Sequence, residues 1–167
     1  MDVNIRHTAK TVQRFIDVRE ITVPQAGDDF NLGSAVVTFL GPVMEYEDTN
    51  NTSLVAKLTF GETSFLFTGD AEMQSESDIL DAGFDVSADV LKVGHHGSET
   101  SSSYHWLREV MPTYGVISVG EDNTYGHPHE EVLSRLEDAE VTVYRTDLSG
   151  TVVCTSDGVT LSFRTER

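Results

Sequence analysis

The chain has 167 residues, 28 acidic against 11 basic side chains, a formal net charge of −17 at pH 7 and one cysteine. That length is one ordinary domain, enough for a hydrophobic core without disulfide or metal staples. A single cysteine, Cys154, excludes an internal disulfide, and so acidic a surface repels a phosphate backbone at low ionic strength, which excludes broad nucleic-acid binding over it.

The acidic excess, with Lys10, Lys57 and Lys92 as the only lysines, fits adaptation to high salt, where screening over a few ångströms removes self-repulsion. An ordinary acidic protein is the alternative. No apolar run is long enough to cross a bilayer, and Met1 to Arg6 lacks the charged-then-apolar pattern of a signal peptide. A soluble single domain is the expectation.

In chain order, Val12, Phe15 and Ile16 predict a short amphipathic helix over Thr8–Val18. Glu20–Val23 reads as a brief strand stopped by Pro24, and Ala35–Leu40 as a buried one stopped by Gly41-Pro42. Glu45–Thr52 is a polar loop. Ser53–Phe60 alternates, with Leu54, Ala56, Leu58 and Phe60 on one face, and Gly61-Glu62 turns it back into Thr63–Thr68 as a hairpin. Met73–Ala82 is a predicted helix closed by Gly83, followed by a strand over Ala88–Val93. Ser101–Met111 is a helix stopped by Pro112, and Gly115–Val119 a strand. His129–Ala139 is a third helix, burying Val132, Leu133 and Leu136. Strands over Val141–Arg145, Thr151–Thr155 and Val159–Phe163 close the chain as a meander. Hairpins followed by alternating helices and strands predict an α/β layered fold in one unit.

The stretch from Phe65 to His129 carries the chemistry. Phe65–Glu72, Leu91–Ser98 and Tyr125–His129 each set an apolar strand against a Gly-containing break, with an Asp or His just past the strand end. Asp70, His95, His96 and His127 are thus expected at one sheet edge. Neutral imidazoles with a carboxylate suit zinc or a similar divalent ion, and metal-assisted hydrolysis is the chemistry such a set performs. Simpler roles compete. Asp70 could cap the helix near Glu72, His127 could bond backbone before Pro128, and His129 could open an exposed helix. His105, beside Trp106, reads as structural or surface. Ser98, Ser101, Ser102 and Ser103 lack a Gly-x-Ser-x-Gly elbow, so helix capping accounts for them better than nucleophilic attack.

The strings TGDAE, LKVGHHGSETSSS, SVGEDNTYGHPHEEVLSRL and VYRTDLSGTV resemble the C-terminal half of the metallo-β-lactamase-like domain of the competence DNA-uptake ComEC family and its stand-alone relatives. The resemblance covers nearly the whole chain and rests on several motifs in order. It implies an αββα sandwich and metal-dependent hydrolysis of a phosphodiester or related ester, with zinc or manganese as cofactor. It implies Asp70 as a carboxylate bridging two metals and His127 as a late ligand. His95 or His96 becomes a ligand or a contact to the leaving oxygen; Asp70, His95 and His96 are the catalytic set, Asp70, His95 and His127 the metal set, and His96, Ser98 and Asn123 the substrate contacts. Family members carry an earlier His-x-His-x-Asp-His motif, and nothing before Asp70 supplies it; His7 stands alone. The expectation is therefore an incomplete, single partial domain over 1–167. Its open sheet face should draw a homodimer or a partner chain, and by family alone DNA. The alternative is a remnant or interaction module that keeps the fold and binds no metal.

Overall fold

The computed structural model describes residues 22–167. The helix predicted over Thr8–Val18 and the first half of the strand predicted over Glu20–Val23 lie outside the described residues; Thr22 and Val23 are not in a strand.

A mixed seven-stranded sheet in strict sequence order organises the chain. Strands β1 (Asp29–Leu32), β2 (Ala35–Gly41), β3 (Val55–Phe60) and β4 (Thr63–Phe67) pair antiparallel. From β4 the sheet turns parallel, through β5 (Val90–Lys92), β6 (Tyr114–Ile117) and β7 (Thr142–Arg145). Parallel neighbours need crossovers, supplied by helices α1 (Met73–Asp81), α2 (Tyr104–Val110) and α3 (Glu130–Asp138). The fold is α/β, as the alternation of patterns predicts. The β3–β4 hairpin turns at Gly61-Glu62 as expected, because Gly61 adopts a positive φ of 60°.

The helices pack on one face. Leu66 and Leu91 are in register on adjacent strands and fully buried, in one cluster with Ile79 of α1, Trp106, Leu107 and Val110 of α2, and Val132 and Leu136 of α3. Burial of each such side chain contributes about 1.5–3 kcal/mol. The other face carries Ala56, Phe67, Lys92, Val116 and Tyr144 in one cross-strand row. A second, two-stranded sheet, β8 (Val152–Ser156) with β9 (Leu161–Thr165), covers one end of it. There Phe163 stacks on Tyr144 at 4.6 Å between centroids and meets Tyr114 at 4.6 Å. Phe67 stays 47% exposed.

The structure also adds to and corrects the expectations. On β3 the alternation is present, and the helix-covered face is that of Val55, fully buried, whereas Leu54 is exposed and Ala56 and Leu58 only half-buried. Alternation reveals two faces but not which one the crossover helices cover. Lys57 shares the helix side by extending its ammonium to Asp85 at 2.8 Å. β1 was not foreseen, since Asp-Phe-Asn-Leu is exposed throughout and lacks a buried face. The closing meander is broken: Thr142–Arg145 joins the main sheet, and β8 and β9 pair only with each other. Between them lies a single helical turn, α4 (Thr146–Ser149), fastened by Thr146 Oγ1, which donates to the Val119 carbonyl at 2.7 Å.

Candidate functional site

Because β4, β5 and β6 are parallel, their C-terminal ends share one edge, and the loops after them meet there. These loops carry Asp70, His95-His96 and the segment through His129. Backbone bonds stitch them together: the His95 amide donates to the Gly69 carbonyl at 3.0 Å, and the His129 amide to the Gly97 carbonyl at 2.9 Å. Close approach demands glycine. A Cβ on Gly97, whose φ is +85°, would lie 2.6 Å from Pro128 Cβ. His95 and His96 both adopt left-handed backbone, with φ of 46° and 55°. For non-glycine residues such geometry costs about 1–3 kcal/mol each, and it concentrates at functional sites. The consequence is that neighbouring histidines face different carboxylates.

His96 Nε2 stands 3.4 Å from Asp70 Oδ1, and His95 Nδ1 stands 3.3 Å from Glu72 Oε1. Glu72 was not singled out in the sequence, although it lies two residues past Asp70 in the TGDAE string. Its Oε1 also accepts from Thr100 Oγ1 at 2.8 Å and Asn50 Nδ2 at 3.2 Å. Asp70 does not cap α1. That role falls to Asn51, whose Oδ1 accepts from the Glu72 and Ser75 amides at 3.1 and 3.2 Å.

His127 joins the group through its ring, 5.6 Å from that of His95 and 4.8 Å from that of His129, edge to face in both cases. Burial first, then the neighbouring His129, His95 and His96, push its pKa below the usual histidine value, with Asp70 opposing. Asn123 anchors the loop reciprocally: its side-chain amide donates to the His127 carbonyl at 2.8 Å, and its Oδ1 accepts from the His127 amide at 3.0 Å. A cleft of about 420 Å³ is lined by His96, Asn123, Tyr125, His127 and Thr146. Lys92, on the open sheet face, has its pKa lowered by burial against the pull of Asp70.

Of the expected site residues, Asp70, His95, His96, His127 and Asn123 converge on this edge. Ser98 lies beneath it, buried, with its hydroxyl 3.0 Å from that of Thr100. His105 is exposed on α2, 3.8 Å from Glu109. Ser103 caps α2, accepting from the Trp106 amide at 3.1 Å. His129 sits at the start of α3, as the helix-opening reading has it, but its Nδ1 accepts from the Glu99 amide at 3.0 Å and so faces the site.

Two carboxylate–imidazole pairs beside a third imidazole can bind, orient and relay protons to an ester. Metal binding is a stricter demand. Among the described residues no group of three or more His, Cys, Asp or Glu side chains is arranged to hold an ion. The metal that the resemblance implies is therefore not accommodated by these side chains alone.

No protein-family profile matches the chain. It is 41% identical over 103 residues, 62% of its length, to ComE operon protein 3 of Bacillus subtilis. It is 40% identical over 104 residues to Competence protein ComA of Neisseria gonorrhoeae, and 41% identical over 103 residues to Recombination protein 2 of Haemophilus influenzae. These matches span 13%, 15% and 13% of the relatives' own lengths. By sequence, then, the chain is related over three-fifths of its length to a short segment of competence-type proteins.

Proposed function

We propose that this chain is the second half of a competence-type hydrolase of the metallo-β-lactamase superfamily, acting on a phosphodiester or related ester. The observation that carries the reading is the convergence of Asp70–His96, Glu72–His95 and His127 at the C-terminal ends of three parallel strands. The competence-type relatives support the setting. Zinc or manganese belongs to this reading only if a second copy or a partner chain adds donors to Asp70, His95 and His127. Asp70, His95 and His96 act on the substrate, with His96 and Asn123 as its contacts, while Ser98, expected among them, is buried beneath the site. On this reading the half-covered sheet, with Phe67 exposed beside Lys92, would be one half of an αββα sandwich. A second copy or a partner chain completes it.

The second reading is a non-catalytic module. It is favoured by the state of Glu72, whose Oε1 is already engaged by Thr100 and Asn50. Hydrolysis of bis(p-nitrophenyl) phosphate with added zinc or manganese separates the two. A rate above blank that Asp70→Ala abolishes supports the hydrolase. No rate with either ion, and no zinc or manganese above trace in protein purified without chelator, supports the module.

A further inference from the structure

The loop from Glu99 to Ser103 belongs to no strand, yet it is held from both sides. Glu76 of α1, 2% exposed, accepts through its carboxylate from the amides of Ser102 and of Ser103, the latter at 2.9 Å. Arg135 of α3 grips the opposite side of the same backbone. Its guanidinium donates to the carbonyls of Ser101 at 2.8 Å, Ser102 at 3.3 Å and Glu99 at 3.0 Å. One helix takes the loop's N–H groups and another takes its C=O groups.

Burying a carboxylate this deeply is unfavourable unless its acceptors are used, and burial does push the Glu76 pKa upward, against the Ser103 and Ser102 bonds and Arg135. An apolar residue there would pack as well but leave two loop amides without partners. The loop in turn reaches the site at two points. The Glu99 amide donates to His129 Nδ1 at 3.0 Å, which requires the ring proton on Nε2, and Thr100 Oγ1 donates to Glu72 at 2.8 Å while lying 3.5 Å from His95 Nδ1.

We propose that Glu76 and Arg135 are positioning residues, clamping the Glu99–Ser103 loop so that its Glu99 amide fixes the tautomer of His129 and Thr100 holds the Glu72–His95 pair. The inference rests on reading the Asp70–His129 cluster as the functional site. Neither residue touches the cleft. Both act through a loop that two helices hold against the site.

Ring nitrogen NMR and amide hydrogen exchange on the full chain test it, at about pH 8 where free imidazoles are neutral. In the unmodified chain His129 gives a single Nε2–H tautomer and the Glu99 amide is protected. In Glu76→Gln the Glu99 amide exchanges at least about tenfold faster and His129 shows mixed tautomers. Arg135→Lys gives the same signature should Glu76→Gln fail to fold. Asp138→Asn, which loosens only the exposed Tyr104–Asp138 bond between α2 and α3, leaves both signals unchanged. A Glu76→Gln or Arg135→Lys chain with a lowered melting temperature but an unaltered His129 ring and Glu99 amide makes these residues stabilisers only and overturns the proposal. The readout needs no turnover, so a chain that hydrolyses nothing but shows these shifts overturns the hydrolase and keeps the clamp.

Discussion

The His96 ring is fixed between two oxygens, with Nδ1 2.6 Å from the Ser118 carbonyl and Nε2 3.4 Å from Asp70 Oδ1. A proton on Nδ1 is committed to Ser118, which leaves Nε2 facing the carboxylate and the cleft. If the chain hydrolyses an ester, Asp70→Asn and His96→Ala should each lower the rate about 100-fold, as for a lost proton-transfer partner. The double variant should fall no further than the worse single one, because the two act as a unit. Losses that multiply would separate their roles.

Gly97 decides whether the histidine loops can touch. Its φ of +85° and the 2.6 Å approach to Pro128 leave no room for a Cβ. Gly97→Ala is predicted to cost about 1–3 kcal/mol and to part the His95-His96 loop from the His127 loop. Urea unfolding measures the first effect, and altered ring shifts of His127 and His129 report the second.

Asn51, in the loop before β3, serves the site by fixing the start of α1. Its Oδ1 accepts from the Glu72 and Ser75 amides at 3.1 and 3.2 Å, and the residue is 3% exposed. Asn51→Ala should therefore destabilise by about 1–3 kcal/mol, since two buried donors lose their acceptor. Asn51→Asp, which keeps the acceptor, should retain most of the stability in the same denaturant titration.

Acid stability carries a signature of Asp85. Its bond to Lys57, then those to Ser87, hold its carboxyl down to about 2, against an ordinary value near 4 when unfolded. A depressed carboxyl stabilises the fold above the unfolded value, and that contribution is lost as pH falls from about 4 towards about 2. Asp85 is largely exposed, so the effect should stay within the ~1 kcal/mol typical of surface pairs. Lys57→Met should flatten this part of a stability-against-pH curve; an unchanged acid limb would remove Lys57 as the cause.

The net charge of −17 makes the fold's response to salt a direct measurement. Screening of a surface this acidic predicts a melting temperature that climbs from low salt to molar KCl, in keeping with a high-salt habitat. A flat curve would return the chain to the ordinary acidic class.

Much of the fold was legible because period and punctuation are local. The α1 and α3 stretches, the Gly61-Glu62 hairpin and the strands before Asp70 and His95 all lie within a residue or three of their expected places. What misled was information that no local pattern carries. β1 has no buried face to betray it, and alternation on β3 does not tell which of its two faces the helices cover. β7 was separated from β8 by a helical turn whose anchor, Val119, lies 27 residues before Thr146.

By itself, the sequence determined that Asp70, the His95-His96 pair and His127 follow strands, and parallel pairing then obliges those strand ends to share an edge. Only the tertiary structure decided how the residues pair. Left-handed backbone at His95 and His96 turns adjacent rings toward Glu72 and Asp70 respectively, and the Glu99 loop turns His129 from a helix opener into a member of the site. These contacts join residues up to 30 apart through side-chain directions set by packing, and spacing along a chain does not encode direction.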